Sequence, residues 1–149
     1  MGNPKIQEYI INVNFPRLKV ISLISLGFAI FALVTDFLSP GVWEDGHVHL
    51  YKILDIVLII ISVSAVSFYW LFKIRNITLQ RAGIFLFPLL IIIWSAIIAA
   101  IGFNMFGFST LIVVVLLIAS FIYLKLFVSI IYFVSAGSVL ILTLLLLTH

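Results

Sequence analysis

The sequence predicts an all-α membrane protein, a polytopic transmembrane helical bundle of about five spans preceded by a short amphipathic helix. Of the 149 residues, 65% are hydrophobic and 9% are charged, whereas soluble domains are about half apolar and a quarter charged. The mean hydropathy is +1.41. Apolar runs reach about 20 residues, the length of a membrane-spanning helix. Runs such as LIVVVLLIASFIYL also lack the alternation expected of a membrane β-strand.

The first 16 residues mix polar and apolar side chains. The apolar ones recur at the spacing of one helical face: Ile6, Tyr9, Ile10 and Val13. This pattern predicts an interfacial helix over residues 1–16, with a frayed terminus as the alternative. Pro16 is predicted to break the chain before the first span, because proline removes a helical hydrogen bond.

Five apolar runs follow, and residues 1–149 are predicted to form one integral membrane domain. The predicted spans are roughly 18–38, 50–72, 83–103, 106–124 and 126–148. At a rise of 1.5 Å per residue, each covers about 28–35 Å, enough for the hydrocarbon core. The short connections GFNMFG and YLKLF predict that spans three to five run antiparallel to their sequence neighbours. Pro88 is predicted to kink the third span.

The basic residues predict the orientation. Lys52 is the one basic residue that falls on the side of SPGVWEDGHVH, and the other Lys and Arg residues fall on the side of the N-terminus and KIRNITLQR. Cytoplasmic loops carry the excess of Lys and Arg. The N-terminus is therefore predicted to be cytoplasmic, in a bacterial cytoplasmic membrane. Five spans leave His149 outside, and the apolar ending LILTLLLLTH would suit a chain cut before a sixth span.

Acidic residues near the predicted outer end are the first functional candidates. Asp36 lies near the end of span one, and Asp55 lies just inside span two. A carboxylate at a helix centre costs about 2.5–3.5 kcal/mol and less near the interface. Lys52 is predicted to offset this cost, because it is three residues from Asp55 and could approach Asp36 across the helix pair. Together with His47 and His49, these residues form the predicted ligand-binding lining; the alternative is a structural ion pair.

The connection between spans one and two also carries a candidate metal site of Glu44, Asp45, His47 and His49. Imidazole and carboxylate groups are ligands that Zn²⁺ accepts. The H-x-H spacing would put both rings on one side of an extended strand. A short loop rich in turn residues rarely brings three or four ligands together, so a hydrated loop is the favoured interpretation and no cofactor is predicted.

Small residues at helical spacing predict helix contacts at Ser25, Ala29, Ser95, Ala99 and Gly137. They are interpreted as contacts within the fold, with a homodimer as the alternative. Trp94, in the middle of a span, is predicted to pack between helices. Aromatic residues near span ends are predicted to form an interfacial belt: Trp43, Tyr51, Tyr69, Trp70 and Tyr123.

Catalysis is not predicted. The chain has no nucleotide-binding, zinc-protease or serine-hydrolase motif, and spans three to five carry no deeply placed ionisable group. It has no cysteine, which excludes disulfides and thiolate sites. No nucleic-acid partner is expected.

The opening IQEYIINVNFPRLKVISLISLGFAIF resembles the start of the multi-spanning N-terminal sensor region of some bacterial diguanylate cyclases and histidine kinases. There, an amphipathic segment with an Asn and an Arg, here Asn14 and Arg17, leads into span one. The stretch FPLLIIIWSAIIAAIGFN, with Trp94 mid-span, is similar to their third-span region. The resemblance implies six spans and a cytoplasmic output domain. This sequence has five predicted spans and neither a Gly-Gly-Asp/Glu-Glu-Phe nor a kinase motif, so no cyclase activity is implied.

These observations predict a membrane-embedded sensing or anchoring module of a bacterial signalling protein. A ligand at the outward end would shift the bundle between two packings. The expected partners are the lipid bilayer and either a second copy or a cytoplasmic output domain. One alternative is a small transporter or channel subunit, because spans one and two carry polar residues: Ser22, Ser25, Thr35, Asp36, Ser62, Ser64 and Ser67. A second alternative is a structural or assembly protein.

Overall fold

The computed structural model describes residues 4–38, 48–73, 76–101, 109–121 and 126–148, which form five helices and no strand. The helices are α1 (Pro4–Leu38), α2 (Val48–Phe72), α3 (Ile77–Ile101), α4 (Ser109–Phe121) and α5 (Leu126–Thr148). The all-α prediction is confirmed. Helices α1, α2, α3 and α5 each contain a stretch long and apolar enough to cross a membrane.

Helix α4 is shorter than the other four. Its 13 residues rise about 20 Å, whereas the hydrocarbon core is about 30 Å thick. The flanking residues 102–108 and 122–125 lie outside the described part of the chain. The predicted fourth span, 106–124, and the count of five spans therefore stay predictions.

Contacts at both ends show that α1 and α2 run antiparallel. Asp36, near the end of α1, contacts Asp55, near the start of α2. Phe15, near the start of α1, lies with its ring 5.1 Å from that of Tyr69, near the end of α2. The end that carries Asp36 and Asp55 is named the aspartate end.

Two long-range hydrogen bonds set the directions of α3 and α5. The indole of Trp94, late in α3, donates to the carbonyl of Leu54, early in α2, at 2.8 Å. The hydroxyl of Tyr132, early in α5, donates to the carbonyl of Phe85, early in α3, at 2.6 Å. Helix α3 is therefore antiparallel to α2 and parallel to α5.

Helix α3 lies at the centre of the bundle, in contact with α1, α2, α4 and α5. Half of its most apolar stretch is buried inside the bundle, compared with 17% for α5. Ser95, Ala96, Ala99 and Ala100 are all buried. Their small side chains let the neighbouring helices approach the backbone of α3 from several directions.

Helices α1 and α2 meet along a buried stripe with a seven-residue repeat, here named the α1–α2 seam. On α2 the buried residues are Tyr51, Asp55, Leu58, Ser62, Ala65 and Tyr69. On α1 they include Ile11, Phe15, Leu18, Ser22, Ser25, Ala29 and Asp36. Spacings that alternate between three and four residues keep one face of a helix turned towards its partner, as in a coiled coil.

The predicted break at Pro16 is wrong, because α1 continues through this proline as one helix of 35 residues. Pro16 itself is exposed, while Phe15 and Leu18 on either side of it are buried in the seam. Tertiary contacts before and after the proline hold the helix, and proline removes only one helical hydrogen bond. The described residues 4–16 therefore belong to α1 and form no separate interfacial helix, and Tyr9 of the predicted face is 68% exposed.

Pro88 is buried inside α3, which continues across it from Ile77 to Ile101. Because proline has no N–H, the carbonyl of Ile84 loses its helical donor. The hydroxyl of Tyr132 donates to the carbonyl of Phe85 and also lies 3.4 Å from the carbonyl of Ile84. Helix α5 thus places a hydroxyl donor beside the carbonyls of Ile84 and Phe85, in the turn of α3 that precedes Pro88.

Two side chains organise the connection from α2 to α3. The Oδ1 atom of Asn76 accepts a hydrogen bond from the backbone N–H of Thr78 at 3.0 Å, and so caps the start of α3. The Nε2 atom of Gln80 donates to the carbonyl of Phe72 at 2.8 Å, which satisfies a terminal carbonyl of α2. This end of the bundle, which carries Lys19 and Lys73, is named the basic end.

Candidate functional site

The aspartate end brings together two carboxyl groups from different helices. Asp36 is 1% exposed and Asp55 is 4% exposed. Their carboxyl groups lie next to each other across the α1–α2 seam. Asp55 lies seven residues into α2, which corresponds to a depth of about 10 Å along the helix. The pair is therefore inside the bundle and not in the connecting segment.

A hydrogen bond between two carboxyl groups needs a proton on one of them, because an ionised carboxylate has only acceptors. Two buried carboxylates without a shared proton would repel each other strongly. The contact between Asp36 and Asp55 therefore depends on the number of protons that the pair holds. Any event that removes this proton, or puts a cation in its place, changes the force between α1 and α2.

The spacing of Lys52 predicted a contact with the aspartates, but its ammonium group lies over an aromatic ring. Its Nζ atom lies 4.3 Å from the centre of the Phe37 ring, a cation–π contact. Among the described residues, no ion pair joins Lys52 to Asp55. The contact with Phe37 still ties the start of α2 to the end of α1, close to the aspartate pair.

Of the two histidines in the predicted lining, His49 lies in the first turn of α2 and is exposed. His47, Glu44 and Asp45 lie outside the described residues, so the predicted metal set and the placing of His47 remain predictions. Within the described part of the chain, no three His, Cys, Asp or Glu residues form a group that could hold a metal ion.

Two larger side chains with a polar group, Tyr51 and Trp94, lie near the pair. Tyr51 is one turn before Asp55 on the same face of α2 and is 3% exposed, so it belongs to the seam and not to an aromatic belt. Trp94 packs between helices as predicted, and donates to the carbonyl of the residue before Asp55. The edge of its ring also meets Phe28 of α1, with the ring centres 6.4 Å apart. Trp94 thus connects α3 with both helices that carry the aspartates.

The hydroxyl-bearing residues of α1 and α2 differ in burial and in hydrogen bonding. Ser22 donates to the carbonyl of Leu18 in its own helix at 2.8 Å. Ser62 is fully buried, and within the described structure its hydroxyl makes no hydrogen bond. Thr35, Ser64 and Ser67 are exposed on other faces. Of the polar residues that the sequence offered as a transport pathway in spans one and two, these three therefore do not lie on the seam.

The predicted helix-packing residues fall into two groups. Ser25, Ala29, Ser95 and Ala99 are buried. At Gly137, an added Cβ atom would meet nothing within 4 Å. The close approach of helices lies instead at Gly83, where a Cβ atom would overlap the ring of Phe68.

The basic end carries a second cluster, in which ammonium groups lie over aromatic rings. The Nζ atom of Lys19 is 4.8 Å from the centre of the Trp70 ring, and that of Lys73 is 5.7 Å from the same centre. Tyr69 is buried in the seam, whereas Trp70 is 60% exposed. An exposed Trp beside Lys is typical of a membrane interface.

Comparison with protein-family models, with curated proteins and with solved structures finds no match to this chain.

The contact between Asp36 and Asp55 was missed by the sequence analysis, which paired each aspartate with Lys52. A signal was present in the sequence. Asp55 is seven residues before Ser62, and Asp36 is seven residues after Ala29. Both aspartates are therefore in phase with the small residues that predict a helix contact, and Lys52 is not.

Proposed function

We propose that this protein is a membrane-embedded sensing module of a bacterial signalling protein, and that the Asp36–Asp55 pair is its responsive element. The observation that carries the proposal is the burial of two carboxyl groups in contact across the α1–α2 seam. Ionisable groups within membrane helices are costly and usually mark functional sites. The signal would be a proton or a small cation that reaches the aspartate end.

The geometry of α1 supports transmission along the bundle. The helix has 35 residues, a length of about 52 Å, and the seam from Phe15 to Asp36 covers about 32 Å of it. A change in the separation of the two aspartates would shift α1 against α2 as a rigid rod. The shift would then reach the basic end, where Phe15 and Lys19 contact Tyr69.

In this proposal the basic end is cytoplasmic, in keeping with the rule that cytoplasmic loops carry Lys and Arg. An attached or associated output domain would detect the shift there. The order of segments in the sequence resembles that of the membrane sensor regions of diguanylate cyclases and histidine kinases. In those proteins a change in helix position is passed to a cytoplasmic domain. A homodimer is a second way in which such a shift could be detected.

The test uses the absence of cysteine in the chain. Cysteines introduced at Glu8 and Lys73, which are both exposed, carry spin labels at the basic end of α1 and α2. Pulsed electron paramagnetic resonance in lipid nanodiscs then measures their separation at acidic and neutral pH. We expect the distance distribution to change with pH in the wild-type chain and to stay fixed in Asp55→Asn, which cannot lose the proton. Ser67→Asn, at an exposed position of α2, is the control and keeps the response.

Distance distributions that are the same at both pH values, or that respond equally in Asp55→Asn, would overturn the sensing proposal. Transport remains the second candidate, because a buried hydroxyl at Ser62 continues the seam beyond Asp55. Saturable cation or proton flux in proteoliposomes, abolished by Asp55→Asn, would establish transport instead. The seam hydroxyl of Ser22 is bonded within its own helix, which leaves few groups to line a pathway.

A further inference from the structure

An apolar cleft lies between α1, α2, α3 and α4, and neither aspartate lines it. It has a volume of about 270 Å³. Its floor is formed by Leu58, Ile91 and Trp94, which are all nearly fully buried. Its rim is formed by Ile24, Phe28 and Val113, which are between 42% and 61% exposed. The cleft therefore opens sideways from the bundle, through a rim of half-exposed apolar side chains.

We infer that this cleft binds one acyl chain of an anionic phospholipid. The rim lies within the membrane-crossing stretch Glu8–Leu38 of α1, so the groups that can reach it are lipid chains and other helices. At the floor, the indole N–H of Trp94 already donates to Leu54. The one hydroxyl among the described lining residues belongs to Ser25, which is 8% exposed. Apolar cavities of about 150 Å³ bind small hydrocarbons, and a cleft of this size leaves still more surface to cover.

Charge complementarity assigns the head group. Arg17 is half-buried in α1, seven residues before Ile24 and eleven before Phe28. These spacings place Arg17 within about 20° of both rim residues around the helix axis, and about 10 Å from Ile24 along it. A phosphate at Arg17 would allow its acyl chain to run along this face of α1 into the cleft, and basic groups between membrane helices bind such head groups.

Trp94 provides the probe for a test. The substitutions Trp43→Phe and Trp70→Phe leave it as the only tryptophan. The chain is placed in phosphatidylcholine vesicles that contain a minor fraction of either phosphatidylglycerol or phosphatidylcholine with brominated acyl chains. We expect bromine to quench Trp94, and the brominated anionic lipid to do so at a lower fraction than the zwitterionic one. Arg17→Gln should reduce this preference about fivefold, the effect of one basic group near the head groups.

A cleft-filling variant separates the cleft from general lipid contact. Val114→Phe adds a ring to the lining of the cleft, and should abolish the quenching of Trp94. Val134→Phe is the matched control, because Val134 is exposed on α5 and 62% accessible, and should leave quenching unchanged. Circular dichroism confirms that each variant is helical, and Arg17→Gln supplies an independent test if Val114→Phe does not fold.

Absence of quenching, or quenching equal for both lipids and unaffected by Arg17→Gln, would overturn the inference. Quenching that decreases as the protein concentration rises would show that a second copy occupies the cleft. Val114→Phe and Arg17→Gln leave Asp36 and Asp55 unchanged, so a negative result here does not contradict the sensing proposal. Distances at the basic end that do not change with pH would not contradict the lipid site.

Discussion

Two helix contacts of this bundle are built by different means. The α1–α2 seam is long and repeats every seven residues, with small side chains at Ser25, Ala29 and Ala65 and the aspartate pair at one end. The contact of α3 with α5 includes one hydrogen bond from Tyr132 to carbonyls beside Pro88. Most of α5 remains exposed, with 17% of its apolar stretch buried.

The difference shows how apolar helices associate when lipid removes the hydrophobic drive. Along the seam, close backbone approach is distributed over many turns. At the α3–α5 contact, the Tyr132 hydroxyl lies where Pro88 leaves the carbonyl of Ile84 without its helical donor. We therefore expect substitutions that alter backbone approach to have larger effects than substitutions that remove a single polar contact.

The largest effect is expected at Gly83, where α3 closely approaches Phe68 of α2. An added Cβ atom would overlap the ring of Phe68. That ring cannot easily move, because it lies 5.4 Å from Phe87 and 4.7 Å from Phe72. Gly83→Ala should lower the free energy of unfolding in mixed micelles by about 2 kcal/mol.

Gly137→Ala is the matched control, since a Cβ atom there meets nothing within 4 Å. It should be neutral or stabilise by about 0.5 kcal/mol, because alanine favours the helix over glycine. If the two substitutions lowered the free energy of unfolding equally, the close contact between Gly83 and Phe68 would not be the cause of the loss.

The next effect concerns the α3–α5 contact. Tyr132→Phe removes the hydroxyl that satisfies the carbonyls of Phe85 and Ile84, and should cost about 1 kcal/mol. In a Pro88→Ala background, the restored N–H supplies a helical donor to Ile84. The loss from Tyr132→Phe should then be smaller. A double-mutant cycle of unfolding free energies measures this coupling, and a coupling of zero would contradict the proposed role of Pro88.

An effect of opposite sign is expected within the seam. The buried hydroxyl of Ser62 has no hydrogen bond in the described structure, so Ser62→Ala should stabilise the fold by about 1 kcal/mol. Ser22→Ala serves as the comparison, because the Ser22 hydroxyl is already bonded to Leu18. Thermal unfolding in nanodiscs provides the measurement. Destabilisation by Ser62→Ala that exceeds that of Ser22→Ala would indicate that Ser62 has a polar partner.

The smallest effect is expected at Lys52. A cycle of Lys52→Met with Phe37→Leu should give a coupling of about 0.5 kcal/mol, as for an exposed cation–π contact. The cycle of Lys52→Met with Asp55→Asn should give a coupling close to zero. If the second coupling were the larger, the ion pair that the sequence suggested would be the real contact.

Residue spacing alone could have predicted much of the seam. Small residues such as Ser25 and Ala29 indicated a helix contact, and the seven-residue phase places both aspartates on it. Spacing could not predict the continuity of α1 across Pro16, because that depends on the packing of Phe15 against Tyr69. Spacing also predicted a helix contact at Gly137 and not at Gly83. A glycine shows where another helix could approach closely, but it does not show whether a helix lies there.

The sequence by itself determined that this chain is helical and has stretches long and apolar enough to cross a membrane, because composition and the length of apolar runs decide whether backbone groups must bond within a helix. It also determined which residues share a face. The tertiary structure decided which faces meet: it paired Asp36 with Asp55, turned Lys52 to Phe37, and brought Tyr132 to the carbonyls beside Pro88. In apolar helices most faces are chemically alike, so partners are chosen by shape and by a few polar groups whose bonds depend on neighbours distant in sequence.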